Sequence, residues 1–150
     1  MAVTAKLYAD FPENLGGGDA GAESSMDLLS DTIKVSLTTS SNSISQTGDT
    51  LYSHLTNELA TAGGYTSGGA TLGTKVYDNS GTTTTMFDAA DTSWSSATFT
   101  AAQAHIYDDS IASPAKPLIS YVDFGADQSV SSGTFTLQWN ASGIFTITVA

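Results

Sequence analysis

Cysteine, arginine and long apolar runs are all missing from this chain of 150 residues. Without cysteine, neither a disulfide nor a metal site built on thiolates can form. Four lysines stand against fifteen acidic residues, which argues against the phosphate contacts that nucleic-acid binding requires. No apolar run approaches the ~20 residues of a membrane-spanning helix, and the N-terminus lacks the basic and apolar regions of a secretory signal. The sequence therefore predicts a protein that binds neither nucleic acid nor membrane.

Charged residues make up only 13% of the chain, about half the share found in an average soluble protein. Serine, threonine and glycine take their place, and they favour strands and turns over helices. Hydrophobic residues still make up 40%, which is enough to build the core of a single domain of this length. The net charge of −11 bears on the choice of partners and not on the fold.

The clearest strand pattern lies in the last third of the chain. Two runs, residues 135–139 and 145–149, alternate apolar residues with threonine or glutamine, which is the period of a half-buried strand. The turn residues Asn140, Ser142 and Gly143 lie between the runs, so we predict an antiparallel hairpin here. Upstream, residues 117–124 are apolar on both faces, which predicts a strand covered on both sides.

Further strands are predicted along the rest of the chain, at residues 3–9, 31–39, 69–77, 82–89 and 99–107. Leucines at every fourth position predict one short helix over residues 49–60, ended by Gly63 and Gly64. About eight short strands, one helix and no βαβ rhythm predict an all-β fold, an antiparallel sandwich of the jelly-roll-like kind. An immunoglobulin-like sandwich is the alternative, although its characteristic cysteines are missing.

The N-terminal part of the chain differs in composition from the rest. Residues 13–25 are rich in glycine and acidic residues, with three consecutive glycines at 16–18, which is typical of a flexible connector. We therefore divide the chain into an N-terminal arm with a glycine-rich linker, residues 1–30, and a β-sandwich domain, residues 31–150.

The residues that could do chemistry form no recognisable catalytic or metal-binding motif. His54 and His105 lie on different predicted elements, and a zinc site would need a third ligand and closer spacing. The aspartates at 108–109 and at 123 and 127 could bind calcium, but the D-x-D-x-D-G loop with a distal glutamate is absent. A G-x-S-x-G nucleophile turn is also absent. We therefore predict no metal, no cofactor and no catalytic residues, and expect that the protein is not an enzyme.

Two tryptophans are candidates for contacts with a ligand or a partner. Trp139 shares its alternation with Phe135 and Leu137, which favours a place in the core. Trp94 lies in the polar stretch 91–96 and is the better candidate for an exposed aromatic, either under a loop or at a protein interface. A core or loop-anchoring position is the first interpretation of both residues.

Four stretches of the chain, taken in order, resemble a known family. They are DTIKVSLTTSS at residues 31–41, TNE at 56–58 followed by GYTSGGATL at 64–72, YVDFG at 121–125, and WNASGIFTITVA at 139–150. Together they resemble small virion structural proteins of tailed bacteriophages, some of which look like capsid decoration, or cement, proteins. The resemblance covers residues 31–150 and leaves out the glycine-rich run.

This resemblance implies a function as a binding protein. It implies a decoration protein that binds the outer surface of the capsid shell, contacts the major capsid protein and bridges neighbouring capsomers. It also implies self-association, as a homotrimer, on the capsid exterior after assembly in the host cytoplasm. In this hypothesis residues 2–18 form an arm that reaches a neighbour, with Leu7, Tyr8 and Phe11 as contacts, and Trp94 is a further contact.

Two other hypotheses remain open at this point. A phage tail or host-adhesion component would recognise surface glycan, with Trp94 and Tyr107 as plausible stacking contacts. A polysaccharide-cleaving enzyme would need two carboxylates facing each other across a cleft. The three glutamates lie in the linker and the predicted helix, so the sequence does not support that arrangement.

Overall fold

The computed structural model describes residues 3–16, 26–79, 81–113 and 115–149, and within these ranges the chain forms two antiparallel β-sheets. The strands are β1 (Thr4–Leu7), β2 (Ile33–Thr38), β3 (Ala70–Thr71), β4 (Val76–Asp78), β5 (Thr84–Asp88), β6 (Thr92–Asp108), β7 (Leu118–Leu137) and β8 (Phe145–Thr148). One sheet has the strand order β1-β7-β6-β2-β3, and the other has the order β4-β5-β8. The predicted all-β sandwich is therefore confirmed.

A long hairpin of β6 and β7 forms the centre of the larger sheet. Its register runs from Tyr107 opposite Leu118 to Thr92 opposite Leu137, with several shifts along the way. The ring centroids of Phe124 and Phe135, both on β7, lie 6.2 Å apart. Eleven residues of straight strand would separate them by roughly 36 Å. The hairpin must therefore bend sharply, and its far half folds over the apolar core.

The core lies between the two sheets and matches the apolar alternation of β2. Ile33, Val35 and Leu37 are fully buried on one face of this strand. Ser36 and Thr38 on the opposite face are also fully buried, because β2 is covered on both sides. The prediction of a strand covered on both faces at 117–124 is confirmed for residues 118–121, which are all buried, whereas residues 122–124 are half-buried.

The C-terminal hairpin predicted between residues 135–139 and 145–149 is wrong. Phe135 belongs to the end of β7 and lies opposite Trp94 of β6. Phe145 instead lies opposite Phe87 of β5, in the other sheet. The turn between them exists, with the Gly143 N–H donating to the Asn140 carbonyl at 2.7 Å. It carries the chain from one sheet to the other instead of closing a hairpin.

The predicted helix over residues 49–60 is wrong as well. Only a single 3₁₀ turn forms, Tyr52–His54, and the chain is extended again at Leu55, with φ −67° and ψ 134°. The Tyr52 N–H donates to the Lys116 carbonyl, and Glu58 forms a bridge with Thr38. These pairings with distant strands satisfy the backbone, so the local leucine spacing does not decide the conformation. The α-helix found within the described ranges, α1 (Phe11–Leu15), is only five residues long.

Two further stretches differ from the sequence-based expectation. The strand predicted over residues 69–77 is split into β3 and β4, which lie in different sheets. Residues 3–16 pack on the domain instead of extending from it as an arm: β1 pairs with β7, and Phe11 is buried. Residues 17–25 of the predicted linker lie outside the described residues.

Candidate functional site

An open groove of about 880 Å³ lies where the two sheets meet along β1, β7 and β8. On one side it is lined by β1, by residues 120–122 of β7 and by Phe124. On the other side it is lined by the end of β7, by residues 138–140 and by the first half of β8. Because β1 and β8 belong to different sheets and do not pair, the sandwich stays open along this line. We call this groove, with its flanking strands β1 and β8, the seam.

The floor of the seam is aromatic. Phe124, Phe135, Trp139 and Phe145 all line it and also pack against the core. The Trp139 indole is fixed in place because its Nε1–H donates to the Ala90 carbonyl at 3.2 Å. These side chains are therefore preorganised, and a ligand would meet apolar rings already in position.

The seam carries almost no charge, although the chain is strongly acidic. No aspartate or glutamate lines it, and Lys6 is its only charged residue. Fifteen acidic residues elsewhere give the chain its net charge of −11. The seam is thus a neutral surface on an acidic protein.

Both strands that flank the seam present a free backbone edge. The Tyr8 N–H donates to the Ile119 carbonyl, so antiparallel alternation points the backbone groups of Ala5 and Leu7 away from β7. By the same reasoning the bond from the Val149 N–H to the Thr83 carbonyl points Thr146 and Thr148 away from β5. Among the described residues, only the Leu7 carbonyl finds a partner there, the Gln46 side-chain amide at 2.9 Å.

The structure brings one of the four predicted contact residues to the seam. Leu7 lines it, whereas Tyr8 and Phe11 are each only 1% exposed. Trp94 is 6% exposed and packs against Tyr65, with ring centroids 6.1 Å apart. These three buried side chains are not available as surface contacts. For Trp94 the first interpretation, a core or loop-anchoring position, agrees with the structure, since the residue belongs to the buried core.

The glycan contacts suggested from sequence are also buried. Tyr107 is fully buried, and its hydroxyl donates to the Gly68 carbonyl at 2.7 Å. With Trp94 buried too, neither residue can stack on a sugar at the surface. Sequence reasoning missed Phe124, Phe145 and the seam because the pairing of β8 could not be read from alternation alone.

A buried polar cluster on the other face of the larger sheet contains His105. The Tyr8 hydroxyl and His105 Nδ1 are 2.7 Å apart, and Thr38 Oγ1 lies 3.1 Å from Nε2. Gln103 joins the cluster through its Oε1, which accepts from the Thr38 hydroxyl and from the Asn42 amide. Burial lowers the pKa of His105 to about 3. The imidazole is therefore neutral and serves the fold.

Glu58 is the centre of a second polar cluster. Its Oε1 accepts from the Tyr65 hydroxyl and the Gly68 N–H, both at 2.7 Å. Its Oε2 accepts from the Ser67 hydroxyl at 2.8 Å and from the Tyr52 hydroxyl. Burial, followed by the hydrogen bond to Glu58, raises the pKa of Tyr52. All lone pairs of the carboxylate are occupied, so Glu58 ties the surrounding loop segments together.

The aspartates at 108 and 109 have different environments. Lys34 and Lys116 contact the Asp109 carboxylate at 2.8 and 2.7 Å. Although burial opposes the effect, these lysines hold the pKa of Asp109 below its usual value. Asp108 is fully buried, and burial together with the nearby Asp31 carboxyl raises its pKa to about 7.

No group of three or more potential metal ligands is found among the described residues. Asp123, one of the residues considered for calcium, accepts the N–H of Gly125 within its own turn at 2.8 Å.

None of the helices in the described ranges has the length and apolar character that crossing a bilayer takes. Comparison with protein-family models, with curated proteins and with solved structures finds no match to this chain.

Proposed function

We propose that this protein is a capsid decoration protein of a tailed bacteriophage. It binds the outer surface of the shell through the major capsid protein and stabilises the shell by bridging neighbouring capsomers. The resemblance of residues 31–150 to that family suggests the role. The observation that carries the proposal is the seam, a neutral apolar groove flanked by two free strand edges on an acidic chain.

Free strand edges suit a protein whose task is to associate. Soluble β-proteins usually protect an exposed edge with charges, proline or a covering loop, because an unprotected edge pairs with other chains. Here β8 has the sequence FTIT and carries neither charge nor proline. An edge of this kind is retained where a neighbouring polypeptide covers it in the assembled state.

The charge distribution favours a basic partner surface. Two of the four lysines, Lys34 and Lys116, are already paired with Asp109. The surface outside the seam is therefore dominated by acids, which would attract basic patches of a shell protein and steer its approach. Binding to the assembled shell but not to its dissociated subunits would stabilise the shell by mass action.

Cryo-electron microscopy of the virus particle that carries this protein tests the proposal. We expect density that fits the sandwich at three-fold or quasi-three-fold positions on the shell. Particles stripped of the protein should open at lower temperature, and adding the purified protein back should restore their stability. Density confined to the tail, or absence of the protein from the particle, would contradict the proposal.

A second candidate function is the recognition of a neutral glycan. The seam combines the Trp139 ring with the amide side chains of Gln128, Gln138 and Asn140, and sugars are bound by aromatic faces and amides. A glycan array probed with the wild-type protein and with Trp139→Ala tests this function. Binding of one glycan class that is lost in the variant would favour it, and an array without hits would exclude it.

A further inference from the structure

The seam identifies which surfaces of two copies of this chain would meet. We propose that β1 of one copy pairs with β8 of a second copy, so that the seams of neighbouring subunits close each other. The five-stranded sheet of one subunit would then continue into the three-stranded sheet of the next. This inference deepens the proposed function and rests on it, because it takes the protein to act as an oligomer.

The two strands match in length, and both have free backbone groups. Thr4–Leu7 and Phe145–Thr148 are each four residues long. Ala5 on one strand and Thr146 and Thr148 on the other point backbone donors and acceptors outward, as the register of their sheets requires. Strand addition would satisfy these groups with main-chain hydrogen bonds.

Exposed apolar side chains concentrate on the same two strands. Among the described residues, five large apolar side chains are exposed, and three of them lie on or beside β1 and β8. These are Val3, 65% exposed, Ile147, 38% exposed, and Val149, 72% exposed. Val3 also lines the groove, and Ile147 and Val149 alternate with the threonines of β8 in step with Phe145, which lines it as well. Exposed apolar side chains grouped in this way are typical of an interface.

Charge favours a second copy of this chain as the occupant. Two copies with a charge of −11 each repel one another wherever their acidic surfaces approach. The seam lacks acidic side chains, and its one charged residue is Lys6. Contact through the seam therefore avoids the repulsion that opposes self-association elsewhere on the protein.

The contact is heterologous when one β1 edge meets one β8 edge, because a two-fold dimer would need both reciprocal contacts between the same two copies. Repeating such a contact gives a ring if the rotation closes, and an open chain of subunits if it does not. A ring uses every seam, which would leave no β1 or β8 edge unpaired in the assembled form. A two-fold contact of β1 with β1 would leave β8 exposed in both copies.

Cysteine cross-linking tests the pairing directly, since the chain has no cysteine of its own. Ala5→Cys protein is mixed with Thr146→Cys protein under mild oxidation, and intact-mass spectrometry separates mixed from like dimers. We expect mixed dimers to dominate. The matched control combines Ala5→Cys with Val76→Cys, which lies on β4 at the opposite edge of the small sheet and should not cross-link. A predominance of Ala5–Ala5 dimers would overturn the heterologous contact.

Light scattering of the purified protein provides the second arm. Ile147→Lys should weaken self-association by about tenfold or more, because it places a charge on the interface. Val76→Lys, an equivalent exchange at a residue that is 43% exposed, should leave self-association unchanged.

A wild-type protein that is monomeric at every concentration while still binding shells would overturn this inference and leave the proposed function standing. Oligomers that cross-link as expected but do not bind shells would overturn the proposed function alone.

Discussion

Replacing Glu58 with alanine is expected to lower the free energy of unfolding by about 2–4 kcal/mol. The carboxylate accepts four hydrogen bonds, two at each oxygen. Tyr52 and Ser67 are partly or fully accessible and can turn to water, so we count only Tyr65, which is 2% exposed, and the part-buried N–H of Gly68. Each of these two would lose a charge-assisted bond and be left without an acceptor, at about 1–2 kcal/mol apiece.

Glu58→Gln provides the matched control, because it keeps the shape of the side chain. The amide oxygen can still accept from Tyr65 and Gly68. The amide nitrogen can donate to the hydroxyls of Tyr52 and Ser67, which are able to accept. Only the contribution of the negative charge is lost, so we expect a decrease of about 1 kcal/mol.

Denaturant titration and thermal melting of the three proteins measure the effect. For a chain of this size, a loss of 2–4 kcal/mol corresponds to a decrease in Tm of roughly 6–12 °C. An alanine variant within about 0.5 kcal/mol of wild type would show that water replaces the carboxylate, and the cluster would then have no structural role. A glutamine variant as unstable as the alanine variant would show that charge alone is responsible.

Three further outcomes are expected. Gly69→Ala should lower the free energy of unfolding by about 3 kcal/mol or more, because φ at Gly69 is +71° and the added Cβ would lie 1.9 Å from the Val35 carbonyl oxygen. Gly73→Ala is the control: the space around Gly73 is open, so this variant should melt like the wild type. Asp108 has a pKa raised to about 7, so its contribution to stability is fully present below the unfolded pKa of about 3.9 and is lost as pH rises through 7. In denaturant titrations from pH 4 to 8, Asp108→Asn should remove this decrease in the free energy of unfolding. His105 has a pKa lowered to about 3, so its contribution to stability should fall as pH drops below about 6.5. His105→Gln should not show this decrease between pH 6.5 and 4. A decrease that persists in the variant would contradict the prediction.

The individual strands could be predicted from sequence because their pattern is local. The alternation of Ile33, Val35 and Leu37 identifies β2, and the apolar run beginning at Pro117 identifies a strand covered on both faces. Side-chain alternation indicates which face of a strand is buried, and this pattern can be recognised without knowing which strands are its partners. Fold class followed from these patterns and from the scarcity of helix signals.

Strand partners could not be predicted in the same way. The alternation around Phe145 does not show whether β8 pairs with β5 or with residues 135–139. Both of these possible partners contain similar apolar and threonine residues. The seam depends on that pairing, so it could not be predicted either. Trp94 was also ambiguous, because the residues that cover it, Tyr65 and Phe99, are distant in sequence.

Glu58 illustrates a different limit. Its sequence neighbours suggested a helix, and its true partners, from Tyr52 to Gly68, come together only when the loop is folded back on β2. The sequence contains one hint, because Glu58 is closely followed by the glycine-rich stretch 64–72. That association gains a physical reason once the carboxylate is seen to accept the Gly68 N–H.

The polar cluster around His105 has a consequence for how the chain finds one structure among many similar ones. Residues 101–108 of β6 are buried on both faces, so a shift by one residue would exchange two covered faces instead of exposing one of them. Such a shift between β2 and β6 would move Gln103 and His105 to the apolar side and separate them from Thr38, Asn42 and Tyr8. Each slipped pairing would leave several buried donors and acceptors without hydrogen-bond partners. The free-energy cost of these unpaired groups is far larger than that of the change in apolar burial. The cluster thus helps to select the strand alignment, because the apolar face of β2 and a few buried polar atoms together specify a single register.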